Sequence, residues 1–243
     1  MFILTQLSNF IGLKSFKHHK FLYCFSVVLV FLETCTTTGF NDNVNEGYIT
    51  FDIAYTNNSG RSFPIQLLPK TIEMRFNRNY ACYTLEDRVG LFSISNIIDL
   101  NKHENLTLIK VFDKKYVYRG FENGSPIFFK KSTPYEVILL PDTYRLAGIL
   151  CKKANMTDSE TKRSFDILYT TNIQINAIND NTPYKKIKGL LLQFGIQMKN
   201  LDMKLTAKKI NQKEISDQEF AIPDGYKHIS KNQMEEIINT LLP

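Results

Sequence analysis

Cysteines, histidines and paired carboxylates are the side chains here whose types and spacing could do chemistry. The chain has four cysteines and four histidines in 243 residues. A metal site draws on ligands at close spacing, such as C-x-x-C or H-x-x-x-H, and neither pattern occurs. His103 sits in the polar stretch Asn101-Lys102-His103-Glu104, and His228 has no second histidine near it. No metal and no cofactor is expected. Glu86-Asp87 is the closest pair of carboxylates. Neighbours in a strand point to opposite faces, so this pair could flank one bond only from a loop. Asp52 and Asp113 are single acids, expected on a solvated face. There is no G-x-S-x-G, no Gly-rich phosphate loop and no H-E-x-x-H, so no catalytic set is read from the sequence. Asn105-Leu106-Thr107, Asn155-Met156-Thr157 and Asn57-Asn58-Ser59 have glycosylation spacing, which matters only in a eukaryotic secretory route.

The positions of the cysteines say more than their chemistry. Lys14, Lys17, His18, His19 and Lys20 precede the run FLYCFSVVLVFL (21–32), which contains Cys24, and no acid falls among the first twenty residues. A bilayer span takes about 20 apolar residues, so a basic segment followed by this short run reads as a secretory signal. A signal anchor and a buried core helix are the alternatives. Leu32-Glu33-Thr34-Cys35 resembles a bacterial lipobox. That resemblance implies a signal peptide over 1–34 and a diacylglycerol on Cys35. Glu33 and Thr34 depart from the usual residues, and an ordinary signal cut near Thr36–Gly39 is the other reading. A lipid contributes about 0.8 kcal/mol per buried methylene, and stable anchoring takes more than one chain, as a triacylated cysteine would supply. The polar tract 35–46 reads as a tether ahead of a domain over 47–243.

The first 34 residues hold three lysines and one glutamate, so their removal lowers the net charge from +6 to +4. The remaining lysines fall in scattered doublets, which argues against nucleic acid as a partner. Cys82 and Cys151 are the cysteines left in the body. In an exported protein such a pair is a disulfide candidate, and two separate buried thiols are the alternative.

Most of the body has strand periodicity. GYITFDIAY (47–55) and TIEMRFN (71–77) alternate apolar with polar residues. NYACYTL (79–85), ENLTLIKVFD (104–113), KKYVYRG (114–120), SPIFFKK (125–131) and YEVILL (135–140) follow. GILCKKANM (148–156), SFDILYT (164–170), GLLLQFGIQMKN (189–200) and LDMKLTAKKI (201–210) complete the series. Asn57–Gly60, Asn123-Gly124 and Asn200-Leu201-Asp202 are turn signals. Strands at this spacing without interleaved helices predict an antiparallel meander. LEDRVGLFSISNIIDL (85–100) admits either a short helix or an edge element. SKNQMEEIINTLL (230–242) predicts a helix, with Ser230 and Gln233 as a capping box, Ile229 and Met234 as a staple, and Met234, Ile237, Ile238 and Leu241 on one face.

The order of GYITFDIAY, LAGILCKKA (146–154), SFDILYT, TPYKKIKGLLLQF (182–194) and DMKLTAKKI (202–210) resembles the GLPGLI-like envelope lipoproteins of Bacteroidota. The name-giving run is replaced by Lys186-Ile187-Lys188-Gly189, so a sister family is implied. The resemblance implies a β-rich outer-membrane lipoprotein at the periplasmic face or cell surface. By analogy it also implies a single curved antiparallel sheet, a half-barrel of the LolA/LolB kind, with a C-terminal helix. The expected function is a non-enzymatic binding module for an apolar ligand or an envelope partner such as an outer-membrane protein. The alternative is an assembly or interaction factor without a ligand cavity. Met234, Ile237, Ile238 and Leu241 would then be the apolar face of a lid helix.

The lipobox reading has a direct test. Cys35→Ala should move the protein from the membrane fraction of its own cells to the soluble periplasm. Wild-type protein that is already soluble, with its N-terminus at Thr36 to Phe40, would overturn it.

Overall fold

The computed structural model describes residues 45–56, 68–120, 135–160, 162–198 and 201–241. The signal segment, Cys35, the turns at Asn57–Gly60 and Asn123-Gly124, and the strand expected over 125–131 lie outside the described residues. The strands are β1 (Gly47–Tyr55), β2 (Thr71–Phe76), β3 (Tyr80–Glu86), β4 (Phe92–Asp99), β5 (Glu104–Val111) and β6 (Lys114–Gly120), then β7 (Tyr135–Leu146), β8 (Ile149–Asp158), β9 (Ser164–Thr170), β10 (Leu190–Met198), β11 (Leu201–Gln212) and the short β12 (Lys227–His228). Helix α1 is Lys231–Leu241.

The fold is mainly β, and the described residues form one open sheet of 12 strands in the order β12-β6-β5-β4-β3-β2-β1-β11-β10-β9-β8-β7. Two runs of consecutive hairpins, β1 to β6 and β7 to β11, are joined where β1 pairs with β11. All pairs are antiparallel except β12 with β6, which is parallel. The sheet curls strongly. Ile98 to Asn105, where β4 turns into β5, share a small depression with Ala177, Ile178, Asn181 and Thr182 of the β9–β10 loop, although five strands separate β4 from β9 in the sheet.

Period-two alternation explains the inner face. Ile49 and Phe51 of β1, Ile72 and Met74 of β2, Ile94 of β4 and Ile109 of β5 are all essentially inaccessible. They belong to one apolar cluster with Met156, Ile167, Phe194 and Leu205 of the second run. Register carries one row of this face from Met74 through Tyr83, Asn96 and Thr107 to Tyr118. The undecided segment 85–100 is a hairpin. Asp87 makes its turn, accepting from the Phe92 and Val89 N–H groups, and β4 follows.

The chain after β11 crosses the outer face of the first run. Ile215 and Phe220 are buried there with Cys82, Ile97, Leu108 and Val117. Phe220 stacks on Tyr80 at 5.3 Å and lies under the Arg75 guanidinium. Asn77 and Asn79 both donate to the Asp217 carboxylate. The strap then pairs as β12 with the β6 edge, and α1 follows. Ser230 caps α1 as the sequence predicts: Gln233 N–H donates to the Ser230 hydroxyl, and Ser230 N–H donates to the Gln233 side chain. Met234 and Ile238 are buried in the inner cluster, and Ile229, Ile237 and Leu241 pack against it.

The disulfide expectation is corrected. Cys82 and Cys151 are free and buried. Cys82 lies in the cluster beneath the strap, where its sulfur accepts from the Arg75 guanidinium at 3.5 Å, and Cys151 lies in the inner cluster. Burial pushes the Cys151 thiol above its ordinary range, which keeps it a poor nucleophile.

Because Met234 and Ile238 are both buried, Met234→Ala with Ile238→Ala should lower the unfolding free energy by about 4–8 kcal/mol. Urea titration followed by circular dichroism measures it. A loss below about 1 kcal/mol with the β signal intact would instead make α1 a cover that the sheet does not need.

Candidate functional site

The site with the shape of a ligand pocket lies in the loop from Thr171 to Gly189, between β9 and β10. This loop has no strand or helix periodicity, and side chains hold it in place. Tight turns are closed by bonds from Asp180 N–H to Ala177 O, Thr182 N–H to Asn179 O and Ile187 N–H to Tyr184 O. The buried amide of Asn179 clamps the returning chain by donating to Ile187 O at 2.8 Å and Gly189 O at 2.9 Å. The Thr182 hydroxyl donates to Asn179 O and accepts from Tyr184 N–H.

Tyr184 fixes the loop to the sheet. Its ring meets Phe194 edge-on at 5.8 Å, and Phe194 meets Phe51 in the same way. Its hydroxyl accepts from Gly195 N–H at 3.1 Å and donates to Gly195 O. Register between β9 and β10 ends at Gln193, so this phenol takes over the ladder groups of β10 just past that point. At the end of the loop Gly189 has φ +156°, and a Cβ there would collide with Thr170 O, so only glycine can bring the chain back into β10.

The loop encloses a cleft of about 350 Å³. Ile173, Ile175, Ile178 and Ile187 form its apolar part and are themselves buried. Gln174, Asn176, Asp180 and Lys188 supply polar groups. The Lys188 ammonium and the Asp180 carboxylate are 3.9 Å apart and both solvated. Across the wall, Gln174 N–H donates to the Asn45 side chain, two residues before β1 begins. The cleft is therefore polar at its rim and apolar below. It can bind, but no nucleophile is placed against a base around it.

The residues singled out in the sequence lie elsewhere. His103 is exposed in the β4–β5 turn, in the small depression with Asp99 and Glu104. His228 is exposed in β12. Glu86 ends β3 while Asp87 is spent on its turn, so the two carboxylates do not converge. Asp52 pairs with Lys208 at 3.1 Å on the surface. Asp113 sits in the β5–β6 turn and not in a strand. Among the described residues no group of three or more His, Cys, Asp or Glu side chains could hold a metal. Sequence reasoning missed the cleft. Its available signal was the run of amide and isoleucine residues over 173–181, which fits neither element period.

No family model matches the chain, and no curated protein matches it. Among solved structures, one of PNGF-II in a P21 space group is 14% identical, covers 80% of this chain and 33% of its own, and gives a TM-score of 0.47. This chain spans about a third of that protein, and the likeness carries no argument about activity.

Burial pushes the phenols of Tyr83 and Tyr184 up from the ordinary 10.0. The folded chain thus keeps protons that the unfolded chain loses above that pH. Their contribution to stability should be level below about pH 10 and fall as pH rises beyond it. Tyr184→Phe should cost about 1–3 kcal/mol at neutral pH, for the two bonds to Gly195, and should lessen the alkaline loss. Unfolding curves at pH 7 and above pH 10 measure both. An unchanged neutral stability would show that Tyr184 does not hold the loop.

Proposed function

We propose that this chain is an exported envelope lipoprotein, anchored in the outer membrane through Cys35 at the periplasmic face or cell surface. It binds, without catalysis, a small ligand that is apolar in part, in the cleft between Thr171 and Gly189. The observation that carries the reading is the cleft itself. Its volume of about 350 Å³ lies within the range of ligand pockets, and it presents polar and apolar surface in about equal parts. The loop is held by Asn179, Thr182 and Tyr184, so the cleft exists before any ligand arrives and little ordering is lost on binding. The reading places the ligand in this loop and not beneath α1. The inner face is filled, with Ile94, Ile98 and Ile109 buried in the same cluster as Met234 and Ile238 of the helix. The sequence resemblance to GLPGLI-like envelope lipoproteins supports the same setting.

A second reading rests on the β7 edge. Ile138 and Leu139 are 51% and 59% exposed on a strand that, among the described residues, has only β8 beside it. An open edge with apolar side chains can take a partner strand. Pro141 and Asp142, at the irregularity in the β7–β8 register, would limit such pairing to the first half of the strand.

Native mass spectrometry of the protein taken from its own cells separates the readings. The wild type should carry a small molecule, and Asn176→Trp, at an exposed position lining the cleft, should lose it. A bare wild-type chain, with a protein partner lost from Ile138→Lys with Leu139→Lys, would sink the first reading in favour of the edge.

A further inference from the structure

We infer that the cleft takes the headgroup of a zwitterionic phospholipid of the phosphoethanolamine type. This inference rests on the binding reading above. Three observations converge on it. The first is charge. Asp180 and Lys188 line one cleft with opposite signs, 3.9 Å apart. The Lys188 side chain is 83% exposed, so water holds most of its charge and the pair is a weak one. A ligand with an anion and a cation joined by a short linker can separate the pair and satisfy both members. The phosphate goes to the Lys188 ammonium and the primary ammonium to the Asp180 carboxylate, each through a charge-assisted hydrogen bond.

The second observation is the apolar part of the cleft. Half-buried Ala177 and the small exposed edges of Ile175 and Ile178 offer contact to the glycerol carbons of an amphiphile, which a free zwitterion such as an amino acid lacks. The third is position. The wall residue Gln174 is bonded to Asn45, where the tether meets the domain. Residues 35–44, at about 3.5 Å each, span at most about 35 Å. With Cys35 lipidated, the cleft is therefore held within reach of the bilayer surface, where such headgroups are concentrated.

The probes are dihexanoyl phosphatidylethanolamine, phosphatidylcholine and phosphatidylglycerol, each below its micelle concentration. They are titrated by calorimetry into the full-length Cys35→Ala chain. The ethanolamine lipid should bind roughly tenfold more tightly than either other, the size of one charge-assisted hydrogen bond. Choline cannot donate to Asp180, and phosphatidylglycerol has no cation to offer. Asp180→Asn should abolish the preference over phosphatidylglycerol, and Lys188→Gln should weaken all three lipids. Both positions are solvated, and circular dichroism confirms that each variant is folded. Equal binding of the three lipids, or a preference that survives Asp180→Asn, overturns the inference. If wild-type protein still carries a small molecule that Asn176→Trp loses, the binding reading stands without it. A wild type that arrives bare and binds no lipid overturns both.

Discussion

The β1–β11 ladder is the constraint on which the rest of the architecture depends. Every other long strand pair joins segments that follow one another in the chain. This pair brings Gly47 against Gln212 and Tyr55 against Met203, across most of the domain. Closing so long a loop costs entropy before any contact repays it, and such topologies fold slowly. The ladder is correspondingly well specified. Gly47 has φ +151°, and a side chain there would strike Asn211 O. A bulge between Thr50 and Phe51 shifts the register, so Ile49 and Phe51 both meet apolar partners, Ile210 and Ala207. Phe51 then touches Phe194 edge-on, which ties β1 to β10 as well. Without this ladder the two hairpin runs would be separate sheets, each with one apolar face in water.

The chain's strands were legible wherever one face was buried and the other wet. GYITFDIAY and SFDILYT coincide with β1 and β9, because alternation is all a half-buried strand needs. β4 was not legible. Its outer Ile97 is buried under the strap and its inner face carries Asn96, so both faces mix apolar with polar and the period is lost. β7 continues past Pro141 to Leu146, as an edge strand can, whereas the sequence reading stopped at Leu140. The capping box of α1 is a local interaction and was read correctly. The pairing of Cys82 with Cys151 was a long-range question, which spacing cannot answer. The cleft was illegible for a further reason. Its geometry comes from single side chains, Asn179 and Tyr184, that bond backbone groups, and such bonds leave no periodic trace.

The strap changes what the outer face can be. A curled sheet of this kind has an apolar concave face and a convex face open to water. Here the convex face of β1 to β6 is partly a second interior, with Ile215 and Phe220 over Cys82, Ile97 and Val117. The same run of strands is thus packed on both faces, and α1 and β12 bind its edge. The second run has no such strap among the described residues. On the first run the exposed apolar side chains Val89, Leu91 and Phe112 sit in hairpin turns, whereas on the second Ile138, Leu139, Tyr144 and Leu150 sit in strands.

The place of β1 in the sheet also has a mechanical meaning. The N-terminal segment enters at Gly47, and β1 is an interior strand, flanked by β2 on one side and β11 on the other. A pull on the chain ahead of Gly47, directed along β1, acts parallel to both ladders. It loads their hydrogen bonds together in shear, not one after another as in peeling an edge. A domain built this way resists a pull on its N-terminal side best at the strand where that pull arrives.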